Sequence, residues 1–303
     1  MTRPGRALIF GVPIAIVLAG CSLVSPAPQG GDGGIPHPAG SEVVVRIAWT
    51  GGFVPYQYHF TSLPRLTLLG DGRVLVEGPQ IEIYPPPALP SVQTRRLTEE
   101  GIQSVLFRIL ETGLFDASHS YDAATQFIAD ANSTVFTVRA DNREVVVDIY
   151  ALGLLTDPIG APTGVPTDEL EAHDRLTALE RDLMDLDAWI PADDWAEPSW
   201  QTYQPESLRL VIANIDDQPP DPDGLDAEPV AWPVGTDPDQ FGTPSTIQDF
   251  RCGVVGGEEA AAWYAALSQA NTLTRWSHDG HLYSVAPRPL LPDEPLDCGQ
   301  TEG

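Results

Sequence analysis

Residues 134–150 read TVFTVRADNREVVVDIY, two runs of alternating apolar and polar residues, Thr134 to Arg139 and Glu144 to Tyr150, joined through Asp141-Asn142. A period of two puts every second side chain on one face of a strand, and an Asp-Asn pair suits a tight turn. The stretch therefore predicts a β-hairpin with one buried face. The pattern recurs upstream, where Leu66 to Leu69 and Arg73 to Val76 flank Gly70-Asp71-Gly72, and Val43, Val45 and Ile47 alternate with Val44 and Arg46. Tyr56, Tyr58 and Phe60 alternate with Gln57 and His59 and read as a further strand.

Between these strands lie helical signals. Thr98 is a candidate N-cap with Glu99 and Glu100 behind it, and Ile102, Val105, Leu106, Ile109 and Leu110 recur at helical spacing up to Gly113. Thr167, Asp168 and Glu169 open a second helix with the stripe Ala172, Leu176, Leu179, Leu183 and Leu186. Beyond residue 204, Leu208, Leu210 and Ile212 form a strand, and so does Phe250 to Val255. Gly256-Gly257 then turns into a helix bearing Trp263, Leu267 and Ala270, and Leu273 to Trp276 and Leu282 to Val285 form a hairpin about Asp279-Gly280. Hairpins dominate the strand connections, so the expected class is α+β, with largely antiparallel sheet and a few amphipathic helices.

The chain start carries a different signal. Arg3 and Arg6 precede an apolar stretch, Ala7 to Ala19, that is short for a membrane span and broken by Gly11 and Pro13, as in a secretory signal. Leu18-Ala19-Gly20-Cys21 resembles the lipobox of bacterial lipoprotein precursors, a resemblance that implies cleavage before Cys21 and acylation of that cysteine. Buried acyl chains gain about 0.8 kcal/mol per CH₂, enough in combination to hold a folded body at a bilayer. The expected organisation is a signal peptide (1–20), a lipidated flexible tether rich in Pro, Gly and Ser (21–41), an N-terminal α+β domain (42–188), a Trp- and Pro-rich connector (189–204) and a C-terminal α+β domain (205–303). The expected location is the extracytoplasmic face of a cell membrane.

Sixteen basic and 43 acidic residues give a formal charge of −27. Such a surface repels polyanions, so nucleic acid is excluded as a partner; a bilayer reached through the Cys21 anchor, an envelope protein or a wall component remain. Cys252 and Cys298 are an even pair in an exported chain and predict a disulfide.

Several residues invite a chemical reading beside a structural one. His278 and His281 flank the Asp279-Gly280 turn and face each other across the hairpin, as two metal-ligating imidazoles do when a third ligand joins them, and as turn histidines also do. Asp221, Asp223, Asp226 and Glu228 offer hard oxygen ligands without the EF-hand order, and equally make a solvated acidic loop. Trp189, Trp195 and Trp200 suit sugar stacking or the anchoring of a linker. Pro85-Pro86-Pro87 after Ile83-Tyr84 forms an extended loop, a docking ligand or plain surface. There is no G-x-S-x-G elbow, no H-E-x-x-H and no P-loop, so no catalytic residue and no cofactor is assigned, and the balance leans away from an enzyme.

The runs Leu66 to Val74, Leu97 to Ile102, Gly113-Leu114-Phe115 and Thr134 to Val138, with Arg288-Pro289-Leu290-Leu291-Pro292-Asp293-Glu294 before Cys298, resemble a group of uncharacterised exported bacterial lipoproteins of actinobacterial type. That resemblance implies an architecture and no activity. The expectation is a membrane-anchored, non-catalytic envelope binding protein, with a cell-envelope hydrolase or an ion-binding lipoprotein as alternatives.

Overall fold

The computed structural model describes residues 33–155, 164–219 and 228–299. Eight strands build the first sheet: β1 (Val43–Gly51), β2 (Leu66–Leu69), β3 (Arg73–Glu77), β4 (Val92–Arg96), β5 (His119–Tyr121), β6 (Asn132–Ala140), β7 (Arg143–Tyr150) and β8 (Gln201–Thr202). Their spatial order is β5-β7-β6-β1-β2-β3-β4-β8, antiparallel except where β5 joins β7. The hairpin at 134–150 forms around a turn in which Asp141 and Asn142 both take positive φ, 52° and 56°, the backbone that matches the twist of the flanking strands. Its register pairs Phe136 with Val147 and Val138 with Val145, and all four side chains enter the core.

Two helices cover that face. In α2 (Glu99–Leu110) the Thr98 side chain accepts from the Gly101 N–H, and Ile102, Val105, Leu106 and Ile109 are buried. In α3 (Thr167–Met184) the buried stripe is Ala172, Leu176, Leu179 and Leu183. Burying each of these Val, Leu and Ile side chains contributes about 1.5–3 kcal/mol before entropy is counted.

The second sheet comprises β9 (Ser207–Asn214), β10 (Val230–Ala231), β11 (Thr243–Pro244), β12 (Arg251–Gly256), β13 (Trp276–His278) and β14 (His281–Pro289), in the order β10-β13-β14-β9-β12-β11. Helix α4 (Gly257–Leu267) covers it and buries Trp263, which meets Trp232 edge-on at 4.7 Å and Trp276 at 5.2 Å. Cys252 and Cys298 are joined in a disulfide, their Cα atoms 6.0 Å apart, which pins the C-terminal run to β12. The described residues therefore form an α+β molecule with two mostly antiparallel sheets.

Four local expectations need correction. Tyr56, Tyr58 and Phe60 do not form a strand: Tyr58–Thr61 is a short helix, α1. Tyr56 and Phe60 pack edge-on at 5.4 Å and both contact Phe250 of the second unit. In a five-residue run, apolar rings at positions one, three and five satisfy the i,i+4 helical spacing as well as alternation. The tether does not extend to residue 41. Ile35 exchanges two backbone hydrogen bonds with the Gln103 amide, at 2.7 and 3.0 Å, Pro36 accepts from the Asp141 N–H at 2.7 Å, and His37 is buried. These side-chain and turn partners satisfy a backbone whose own composition forms no strand. Leu273 lies in a turn capped by Asn271, and the strand begins only at Trp276. The connector is partly sheet, since β8 pairs with β4.

The run Arg288 to Glu294 forms the seam between the sheets. Leu291 packs with Val43, Leu69, Leu75 and Val92 of the first sheet. Asp293 takes two hydrogen bonds from Arg46 at 2.8 Å, while buried Arg288 pairs with Glu294 and donates to the Ser62 carbonyl at 2.6 Å. The proline-rich loop crosses in the other direction: Pro86 accepts from the Thr272 N–H at 2.9 Å, and Ala88 donates to Ala270 at 3.1 Å.

Candidate functional site

The β13–β14 turn places Asp279 and Gly280 at positive φ, 47° and 88°, and sets His278 opposite His281 in register. The two imidazoles have different partners. His281 Nδ1 lies 2.6 Å from Asp216 Oδ2, while Asp216 Oδ1 accepts from the Leu282 N–H at 2.7 Å. Asn214 holds Asp216 through the Asp216 N–H at 2.9 Å and a second contact at 3.3 Å. His278 instead points an edge at Trp232, 6.2 Å between centroids, with Asp279 Oδ2 at 3.8 Å.

This is a histidine–carboxylate dyad that joins the β13–β14 hairpin to the turn following β9. The hydrogen bond to Asp216, reinforced by the charges of Asp216, Asp239 and Asp279, raises the His281 pKa above its ordinary value. The same hydrogen bond, with that from Leu282, lowers the Asp216 pKa. Nearby, the Tyr283 hydroxyl donates to Asp239 at 3.1 Å, and burial together with the surrounding carboxylates pushes its pKa up to about 12. The dyad orients the imidazole and favours its protonated form, which suits a cationic spot or a general acid. Asp216 holds the His281 ring through Nδ1, the carboxylate-to-imidazole half of a hydrolytic triad.

No group of three or more His, Cys, Asp or Glu side chains among the described residues is arranged to hold a metal ion. Asp221, Asp223 and Asp226 lie outside the described residues, as does Cys21. The three tryptophans are engaged with the first unit. Trp195 is buried with Arg95 stacked on it at 3.9 Å, Trp189 donates to the Asp182 carbonyl at 2.7 Å, and Trp200 donates to Asp187 at 2.7 Å. A cleft of about 340 Å³ lies elsewhere, between residues 36–39 and the β6–β7 turn, with Arg139 and Arg143 on its wall.

One feature was not read from the sequence. His173 on α3 is fully buried and neither of its ring nitrogens has a hydrogen-bond partner; Thr177 Oγ1 is likewise buried without one, and buried Glu180 Oε1 lies 3.7 Å from the Arg65 Nε with no hydrogen bond. Burial lowers the His173 pKa and raises that of Glu180, the latter against the pull of Arg65. The signal was the spacing: positions 169, 173 and 180 flank the leucine stripe on the helical wheel, so polar side chains there enter the packed face. No protein-family model, no curated protein and no solved structure matches the chain.

Proposed function

We propose that the protein is a lipid-anchored, extracytoplasmic envelope lipoprotein, a member of the uncharacterised lipoprotein group it resembles, whose folded body binds a partner without catalysing a reaction. The observation that carries this reading is Leu18-Ala19-Gly20-Cys21 behind a short apolar stretch with Arg3 and Arg6 before it. The Cys252–Cys298 disulfide supports it, because such bonds persist in oxidising compartments outside the cytoplasm. The third cysteine is then Cys21, the acceptor of the acyl chains. The −27 charge turns the body away from polyanions and toward neutral or cationic partners.

Metabolic labelling with a clickable palmitate analogue tests the anchor. Label on the wild type and none on Cys21→Ala, with the variant released from the membrane fraction, is the expected result. Unlabelled wild-type protein, or equal label on both, defeats the reading.

A second reading, an envelope hydrolase, draws on the Asp216–His281 pair. It requires that His281→Ala abolish a hydrolytic activity of the purified protein while leaving its thermal unfolding unchanged.

A further inference from the structure

The register of the first sheet gives it two unlike ends. One end holds Gly33 and the segment that follows, tied by Pro36 to the β6–β7 turn and by Gly40 to the β2–β3 turn, where the Asp71 N–H donates at 2.8 Å. Residues leading back toward Cys21 join the body there. At the other end β1 finishes at Gly51 beside Asn132, β7 finishes at Tyr150 beside Ser133, and β3 finishes at Glu77 beside Val92. The loops leaving that far end carry large apolar side chains in solvent: Phe53 is 89% exposed, Tyr84 71% and Ile83 57%, and Phe127 and Leu154 are each more than two-fifths exposed. At the Gly33 end, Phe107 is the one large apolar residue with comparable exposure among the described residues of this unit.

An apolar display of this kind on a highly charged protein marks an interaction surface. Three occupants are conceivable, and charge separates them. A second copy brings another −27 and is repelled. An anionic bilayer is repelled for the same reason, and the anchor would draw it to the opposite end. A protein with an apolar contact area inside a cationic surround meets both the exposed rings and the field of the body. We propose that the end of the first sheet carrying Phe53, Ile83, Tyr84 and Phe127 is the docking surface for such a cationic envelope protein. The orientation part of this inference rests on the anchor proposed above; the surface itself does not.

The test places a photo-crosslinking phenylalanine analogue at positions 53, 83 and 127, and at 107 and 296 as controls, in the full chain expressed in its own cells. The expected result is one partner of basic isoelectric point, joined from 53, 83 and 127 and not from 107 or 296. Its yield falls at least tenfold in Phe53→Asp/Ile83→Asp, whose melting temperature matches that of the wild type. Adducts to lipid or to a second copy, an acidic partner, equal yield from all five positions, or no adduct at all would overturn the proposal. Repeating the experiment in Cys21→Ala separates the two readings. Retained distal cross-links without palmitate label on either form sink the anchor and leave the surface standing, whereas labelled wild type with no distal cross-link sinks the surface alone.

Discussion

The two sheets solve the same packing problem with different means. The first covers one face with two helices and fills the space with many aliphatic side chains, among them Val44, Ile47, Leu106, Ile109 and Leu176. The second has one covering helix and fills its core around rings: Trp263 touches Trp232 and Trp276, and Trp232 touches Tyr283 at 5.8 Å. A small sheet under a single helix offers few positions, so a few large side chains must carry the burial, and a disulfide adds a covalent tie. Stability in the first unit is spread over many residues; in the second it is concentrated.

That contrast breaks most visibly at Trp263. Trp263→Ala is expected to destabilise by about 3–5 kcal/mol, since it removes a fully buried ring and leaves a cavity its ring neighbours cannot fill. Denaturant unfolding followed by tryptophan fluorescence measures this, and a loss below about 1 kcal/mol would mean that the ring cluster is not the keystone. Next in size is the covalent tie. Cys252→Ala/Cys298→Ala opens a loop spanning 46 residues of separation and should lose about 2–4 kcal/mol. Because Cys252 packs with Phe60 and Phe250, this variant should also loosen α1, seen as faster amide exchange at Phe60.

The spread-out core makes the opposite prediction. His173→Leu removes two buried nitrogens that have no partner, and is expected to raise stability at pH 7 by about 1 kcal/mol. Burial holds the folded-state pKa of His173 below its ordinary value, against the opposing charge of Asp174. Above about pH 6.5 both folded and unfolded forms are neutral there. As pH falls below that, the unfolded chain takes up a proton that the folded one refuses, so stability is lost with acidification until the depressed folded pKa is passed. The denaturation midpoint of the wild type should therefore drop between pH 7 and 5 by more than that of His173→Leu; parallel profiles would show that this histidine is solvated.

How much of this was legible in the sequence follows from the same physics. The 134–150 hairpin, the Thr98 cap and the apolar stripes of α2 and α3 are readable because turn chemistry, capping and periodicity act over a few residues. Tyr56 to Phe60 reads as a strand in isolation because what decides its conformation is distant, namely the ring of Phe250. Residues 33–41 looked like tether because nothing in Gly-Ile-Pro-His-Pro reveals that Gln103 and Asp141 are waiting to pair with its backbone. At the candidate site, the opposition of His278 and His281 followed from the Asp279-Gly280 turn, but Asp216 stands 65 residues away in sequence and no spacing rule links it to His281.

The smallest expected effect lies at that pair and sharpens the contrast between ring-packed interior and charged rim. His281 and Asp216 are solvent-accessible, so their coupling shows in titration rather than in global stability. The pair is favourable while His281 is protonated and Asp216 ionised. Its contribution is lost as pH rises through the raised His281 pKa, and again as pH falls through the lowered Asp216 pKa. In Asp216→Asn the hydrogen-bonding carboxylate is gone while Asp239 and Asp279 remain, so the His281 ring resonances should titrate at lower pH than in the wild type, though still under the influence of those two acids. Adding 0.5–1 M salt, a range chosen to collapse the screening length to about 3 Å at its upper end, should remove the effect of the distant acids and leave most of the Asp216 hydrogen bond. An unchanged titration in Asp216→Asn would mean that the rim field, not the dyad, sets the charge of His281, and the hydrolase reading would lose its one geometric support.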